Sequence, residues 1–237
     1  MYTIQGLIRK SMNNAFTQFD KFGYVANNLA NVGTNGYKAV RFEQMLQEDG
    51  YLSGTVRTNY KKGSIASTEN PFDIAIDGDG FIPVVSPTGQ VAYTRDGSLK
   101  KGKDGYLLTN DDWIVGAGIQ IPTNSYKITI KQNGDVVSYD AVDKPEKLLG
   151  KIPLVQFNNP EGLSAGDNNK LTPTDQSGEP ILVKDHNYIV QNAIERSNTN
   201  VYDSVSDMLR LNASMLASMR MMKVVDDMYN KSINIRQ

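Results

Sequence analysis

The sequence contains no cysteine, and its single histidine is His186. Disulfide bridges, thiolate metal sites and cysteine nucleophiles are therefore excluded, and a catalytic triad would have to use that one imidazole. Asp185 is adjacent in sequence and too close to orient the ring, so a loop histidine is the simpler interpretation. Asp77-Gly78-Asp79-Gly80 resembles a calcium loop but lacks the remaining oxygen ligands. We predict no catalytic residue, metal or cofactor, and hence no enzyme.

An excess of one charge and long apolar runs are also missing. The 25 basic and 26 acidic residues give a net charge of -1, which argues against a nucleic-acid partner. No apolar run reaches the ~18 residues needed for membrane insertion. The N-terminal segment is interrupted by Asn13, Asn14 and Gln18, unlike a secretory signal. We expect a protein that stays in the cytoplasm or is exported without a cleaved signal.

The most prominent feature of the sequence is a pair of amphipathic segments, one at each end of the chain. Near the N-terminus, apolar residues recur every seven positions in two rows: Ile8, Ala15, Phe22 and Leu29, and Met12, Phe19 and Ala26. The C-terminal rows are Val201, Met208, Met215, Met222 and Tyr229, and Val205, Met219 and Ile233. This spacing is typical of coiled coils. It predicts helices over residues 3–31 and from about 200 onwards, capped by Asn200, that pair with each other.

Further apolar residues lie outside these rows and should stay exposed in an isolated monomer: Phe16, Val25, Leu209, Leu211, Leu216, Met221 and Val224. Ordering a residue costs ~1 kcal/mol or more, and each buried apolar side chain returns at most ~1.5–3 kcal/mol. A lone helix pair therefore gains little, and we expect both ends to become fully ordered on assembly with other copies. The alternative is a pair of ordinary amphipathic helices packed on a globular core.

The middle of the chain changes to a two-residue period with turn dipeptides such as Asp104-Gly105 and Asn133-Gly134. The predicted fold class is α+β, with terminal helices paired in a coiled-coil-like module and a central antiparallel β sandwich or barrel-like domain. The predicted divisions are a helical assembly module at 1–35 and 198–237, a connector or extended arm at 36–70, and a β domain at 71–197.

Five motifs, in order, resemble the flagellar basal-body rod and hook protein family. They are Asn28-Leu29-Ala30-Asn31 with Gly36-Tyr37-Lys38, Phe72 to Phe81, Ala92 to Ser98, Phe157 to Leu163, and Glu195 to Val201. The resemblance covers nearly the whole chain and is closest to the rod proteins. The short segment between Tyr37 and Phe72 favours the proximal over the distal rod type.

The resemblance implies a structural subunit that polymerises helically through its terminal helices to form part of the flagellar drive shaft. It implies other copies, other rod and hook proteins and the flagellar type III export apparatus as partners, and the periplasmic rod of the basal body as location. The predicted assembly residues are Ile8, Met12, Phe19, Phe22, Asn27, Leu29, Asn31, Gly36, Tyr37, Val201, Met208, Met215, Met219 and Met222. Gly36 should have a positive φ, so Gly36→Val should impair assembly more than it impairs the β domain.

Two other functions fit parts of the pattern. A secreted β protein acting on peptidoglycan or another carbohydrate would need a cleft with two acidic side chains at catalytic separation. A β-sandwich adhesin with coiled-coil ends would not need the asparagine-rich segment after the first helix.

Overall fold

The computed structural model describes residues 4–141, 144–184 and 188–234. The predicted loop histidine His186, its neighbour Asp185 and the side chain of Ile233 lie outside the described residues. Two long helices are present, α1 at Ile4–Ala30 and α2 at Val201–Asn234. None of the described helices is long and apolar enough to cross a membrane.

Strands account for most of the remaining regular structure, and their pairings are antiparallel throughout the described residues. The strands are β1 Val40–Leu46, β2 Leu52–Thr58, β3 Ile65–Ser67, β4 Ile74–Ile76, β5 Ile82–Val85, β6 Val91–Thr94, β7 Leu99–Lys101, β8 Leu107–Thr109, β9 Ile114–Val115, β10 Lys127–Ile130, β11 Asp135–Tyr139, β12 Lys147–Lys151, β13 Val155–Gln156, β14 Ser164–Ala165, β15 Leu171–Thr172, β16 Ile181–Leu182, β17 Ile189–Gln191 and β18 Ala193–Glu195. Short 3₁₀ turns lie at Pro160–Gly162 and Asp167–Asn169. The α+β class is therefore confirmed.

The chain divides into two compact units, and the first contains residues 4–32, Ala39–Asn59 and 199–234. Here α1 packs against α2 and also against the hairpin that β1 and β2 form. The expected connector at 36–70 thus contains a regular hairpin whose strands pair from Val40 with Thr58 to Leu46 with Leu52. The rings of Tyr24 on α1 and Phe42 on β1 stack with their centroids 5.5 Å apart.

The burial pattern of the helices differs from the prediction at Val25 and Leu211. Both were expected to stay exposed, but they are 9% and 5% exposed. On α2, Leu211 shares a heptad row with Ser204, which is also buried. The Ser204 hydroxyl donates to the Asn200 carbonyl at 2.8 Å, so its hydrogen bond is satisfied within the helix. The sequence pattern counted large apolar residues and so missed this row of α2, in which small residues alternate with large ones.

The second unit contains Gly33–Lys38 and the described part of Tyr60–Asn198. Its largest sheet has the strand order β14-β15-β6-β5-β9-β8-β7, and a second sheet has the order β10-β11-β12. The described strands do not close, so the barrel-like alternative is wrong. The core is formed by aliphatic side chains, including Ile74, Ile76, Ile82, Leu107, Ile152, Leu154 and Ile189, all fully buried.

Candidate functional site

Helix α1 has an exposed apolar face in addition to its packed faces. Met12, Phe16 and Phe19 are 43%, 65% and 61% exposed. Positions 12, 16 and 19 follow the three- and four-residue spacing that places side chains on one side of a helix. These three side chains are therefore available for contact with another molecule.

More of the large apolar residues of α2 are exposed than are buried. The most exposed members are Tyr202, Leu209 and Met228, at 87%, 66% and 64%. Further exposed members are Val201, Val205, Leu216, Met219, Met221, Val224 and Tyr229. A surface helix normally confines its apolar residues to one stripe. The wider distribution on α2 is typical of a helix that contacts neighbours on several sides.

The predicted assembly residues occupy different environments. Met12, Phe19, Asn27, Val201 and Met219 are exposed. Gly36 is buried, and the others are half-buried: Ile8, Phe22, Leu29, Asn31, Tyr37, Met208, Met215 and Met222. Their role in contacts between copies stays a prediction.

Two asparagines on α1 that the sequence analysis did not select hold the hairpin. The Asn28 side chain donates to the Val40 carbonyl at 2.7 Å and accepts from the Val40 amide at 2.8 Å. Asn13 forms the same pair with the backbone of Leu52, at 3.1 and 2.7 Å. Asn27, which was selected, is exposed and accepts from the Asn31 side chain.

In the second unit, the segment that contains Gly36 lies beside the segment that follows β18. The Gly36 amide donates to the Glu195 carbonyl at 2.7 Å, and the Asn198 amide donates to the Tyr37 carbonyl at 3.3 Å. The predicted positive φ of Gly36 is confirmed, at 68°. A Cβ at this position would lie 2.6 Å from the carbonyl carbon of Arg95. This clash argues against the expectation that Gly36→Val impairs assembly more than it impairs the β domain. We instead expect Gly36 substitutions to disturb the second unit itself, which we call the β-rich unit.

A buried ion network surrounds Glu195, whose side chain is fully buried. Its Oε1 accepts from the Lys38 Nζ at 2.6 Å and from the Gly63 amide at 2.8 Å. Its Oε2 accepts from the Arg95 Nε at 2.8 Å. The Lys38 ammonium also donates to the Lys61 carbonyl at 2.9 Å. The carboxylate thus joins residues that are far apart in sequence.

The remaining donors of Arg95 bind backbone oxygens. Nη1 donates to the Gly80 carbonyl at 2.8 Å, and Nη2 donates to the carbonyls of Ile76 and Gly78 at 3.2 and 2.9 Å. This guanidinium therefore fixes the turn that follows β4. Such compensation is required because a buried charge without partners is costly.

Burial lowers the pKa of Lys38, and the positive charge of Arg95 lowers it further, while Glu195 opposes both effects. Three of the five family-like motifs meet in this network, because they contain Lys38, Arg95 and Glu195. Sequence reasoning quoted these residues but assigned them no role. The sequence signal that could have indicated the network was one charged residue in each of these three motifs, next to residues that favour strands.

A second ion pair links Asp111 to Lys170 at 2.8 Å. Burial raises the pKa of the Asp111 carboxyl, but the hydrogen bonds from Lys170 and Thr109 outweigh it and hold the pKa below its usual value of 3.8. The Lys170 ammonium also lies 5.4 Å from the ring centre of Trp113.

Neither of two cavities in the second unit offers a pair of acids. The larger, about 580 Å³, contains one carboxylate, Asp104, and the smaller, about 210 Å³, contains one, Asp79. The described residues also contain no group of three or more side chains that could bind a metal. These cavities lack the paired carboxylates of glycoside hydrolysis.

Comparison with known proteins identifies relatives along most of the chain. A family model described as "Flagellar hook protein FlgE/F/G D1 domain" matches residues 75–138. The flagellar basal-body rod protein FlgG of Buchnera aphidicola subsp. Acyrthosiphon pisum is 30% identical over 235 residues, which cover 87% of this chain and 90% of that protein. FlgG of Caulobacter vibrioides is 27% identical, with 90% of this chain and 92% of that protein covered.

The flagellar basal-body rod protein FlgF of Mesorhizobium japonicum is 31% identical over 199 residues, which cover 79% of this chain and 78% of that protein. Relatives named FlgG and FlgF thus match at similar identity, and the expected proximal type stays a prediction. All three relatives are named as rod proteins and none as an enzyme. This chain belongs to the flagellar basal-body rod and hook protein family, as a structural protein of the rod type.

Proposed function

We propose that this protein polymerises helically through α1 and α2 to form part of the flagellar rod, and that its β-rich unit is displayed on the assembly. The observation that carries the proposal is the apolar surface that both helices leave exposed. Phe16 and Phe19, for example, are each more than 60% exposed. A head-to-tail contact that repeats without closing produces a filament.

The proposal extends the pairing of α1 and α2 to a coiled-coil-like module. Met208, Met215 and Met222 are half-buried and spaced by seven residues, as a heptad seam requires. Six of the nine methionines lie in α2. Their flexible side chains adapt to neighbours of slightly different shape. On the basis of its family, we further propose that the protein contacts other rod and hook proteins at the ends of the polymer. It would be exported by the flagellar type III apparatus and lie in the periplasm.

Single substitutions test the assembly surface. Covering a phenylalanine that is about two-thirds exposed stabilises a contact by ~1–2 kcal/mol. Phe16→Ser should therefore raise the concentration needed for assembly about tenfold, since ~1.4 kcal/mol corresponds to a factor of ten. Sedimentation of purified protein over a concentration series measures this change. Phenylalanine and serine have similar helix propensities, so the monomer should keep its helix content.

Tyr126→Ser is the matched control, because Tyr126 is 67% exposed and Phe16 is 65% exposed. Tyr126 lies in the β-rich unit, outside both helices. Equal effects of the two variants would show that general surface hydrophobicity, not the helix face, drives association. No concentration-dependent association of the unmodified chain would refute the proposal.

Amide exchange provides a second test. We expect α1 and α2 to exchange rapidly in dilute monomer and to become protected in the assembly, because ordering them depends on apolar burial by neighbours. Strong protection of both helices at low concentration would contradict coupled ordering and assembly. The β-rich unit serves as the internal reference, since its buried strands should be protected in both states.

A further inference from the structure

The larger cavity of the second unit is an open basic groove of about 580 Å³. We use the name basic groove for the surface lined by Lys101, Lys103, Asp104, Ile121, Lys147, Leu148 and Leu149. Leu148 is 61% exposed and so presents an apolar surface between the charges. The groove therefore combines cationic and apolar groups.

The charges of the basic groove are not neutralised within the described part of the chain. The Lys101 ammonium donates to the Pro122 carbonyl at 2.9 Å. Lys103 and Lys147 are exposed and form no ion pair with any described residue. Three lysines and one aspartate leave a net positive charge, so the groove suits an acidic partner.

Two strand edges also lie at the basic groove. Lys101 is in β7, which ends the seven-stranded sheet, and Lys147 begins β12, which ends the three-stranded sheet. Neither strand has a second neighbour among the described residues. An edge strand presents unpaired amides and carbonyls to an extended segment. The preferred partner is thus acidic, partly apolar and extended.

The chain itself contains such a segment at residues 175–182, which we call the acidic segment. Asp175 and Glu179 are exposed and form no ion pair with any described residue. Ile181 and Leu182 are 49% and 55% exposed. These two residues form β16, which has β13 as its one neighbour among the described strands. The acidic segment matches the groove in charge, apolar content and open strand edge.

We propose that the basic groove of one copy binds the acidic segment of a second copy. The two surfaces differ, so the contact is head-to-tail and can repeat along a filament. The inference rests on the proposed self-assembly and adds a contact between β-rich units to the helix contacts. A competing occupant is the tip of the β1–β2 hairpin, where Leu46 is 69% exposed and Glu48 is acidic.

The absence of cysteine makes the contact testable by directed cross-linking. Leu148→Cys and Leu182→Cys are made as separate variants, mixed under assembly conditions and oxidised with diamide, which takes up the two thiol hydrogens as the disulfide forms. We expect at least tenfold more covalent heterodimer than from Leu182→Cys mixed with Val91→Cys. Val91 is the matched control because it is 47% exposed and lies on another strand, β6.

A charge swap provides an independent readout. Lys101→Glu with Lys147→Glu should raise the concentration needed for assembly at least fivefold. Asp175→Lys with Glu179→Lys in the same chain should restore much of the loss. Equal cross-linking of Leu148→Cys and Val91→Cys, preferential cross-linking of Leu148→Cys to Leu46→Cys, or no rescue by the swap would overturn the groove contact. Normal sedimentation of assemblies without the cross-link would reject this contact alone, whereas an unmodified chain that never assembles would reject the proposed function as well.

Discussion

Replacement of Gly36 by alanine tests how the segment before Lys38 is held in the β-rich unit. The φ of Gly36 is 68°, in the left-handed region. The added Cβ would lie 2.6 Å from the Asp96 amide nitrogen and 2.7 Å from the Arg95 carbonyl oxygen. These atoms belong to the backbone and cannot rotate away as a flexible side chain could. The substitution therefore combines a conformational cost with a steric one.

The two costs can be given separate magnitudes. An L-residue in the left-handed region costs ~1–2 kcal/mol. Forcing an extra carbon into a packed position costs a further ~1–3 kcal/mol. Gly36→Ala should therefore lower the free energy of unfolding of the β-rich unit by about 2–5 kcal/mol, the sum of these two ranges. Urea denaturation followed by the fluorescence of Trp113, the single tryptophan, reports on this unit.

Gly178→Ala separates the two effects. Gly178 has a φ of 74°, but no atom lies within 4 Å of the Cβ position there. This variant should show the conformational cost without the clash, so it should be destabilised by only ~1–2 kcal/mol. If Gly36→Ala is no more destabilised than Gly178→Ala, the backbone around Gly36 moves freely and our account of its packing is wrong.

Three further results are expected. Glu195→Gln should destabilise the protein by about 3–5 kcal/mol in urea denaturation, because it leaves two buried cations without their counter-charge; a loss below 1 kcal/mol would contradict the network. In the assembled protein, where α1 is expected to be ordered, Asn28→Ala should lower the amide-exchange protection of the β1–β2 hairpin by ~1–3 kcal/mol, because it leaves hairpin groups unpaired; the exposed control Asn27→Ala should lower it much less. Because folding lowers the pKa of the Asp111 carboxyl, its ion pair with Lys170 stabilises the fold fully at pH values above the usual pKa of 3.8. This stabilisation is lost as the pH falls through the pKa of the folded state. Lys170→Met should therefore destabilise most at neutral pH, and an equal loss at every pH would contradict the ionic contribution.

The helices could be predicted because their sequence signals are local. Apolar residues recur at helical spacing over many turns, and Asn200 caps α2 by accepting from the Tyr202 amide at 3.0 Å. Asp203 in the first turn of α2 agrees with the helix dipole. The precise packed face could not be predicted, because buried Ser204 carries no hydrophobic signal.

The β1–β2 hairpin was missed because its strands have little burial of their own. The alternation of apolar and polar residues that marks a half-buried strand stops in β1 after Glu43, and Met45 and Val56 are 62% and 45% exposed. The hairpin depends on α1, through Asn13 and Asn28. A contact that joins positions 12 to 39 residues apart by side-chain amides has no periodic signature.

The ion network also could not be predicted from the sequence. Lys38 and Glu195 are 157 residues apart in sequence, so no local pattern predicts their pairing. Replacing a buried ion network with apolar residues is often neutral or stabilising, so stability alone does not explain such a network. Its geometric demands are strict, since the Glu195 carboxylate accepts from three donors in fixed positions. Beside it, the Gly36 amide binds the backbone of Glu195. Within the β-rich unit, the network therefore fixes two segments. The chain enters the unit from its N-terminal side near Lys38 and leaves it towards its C-terminal side near Glu195. Under the proposed self-assembly, every copy repeats the same contacts, so a single fixed arrangement of these segments matters more than additional stability.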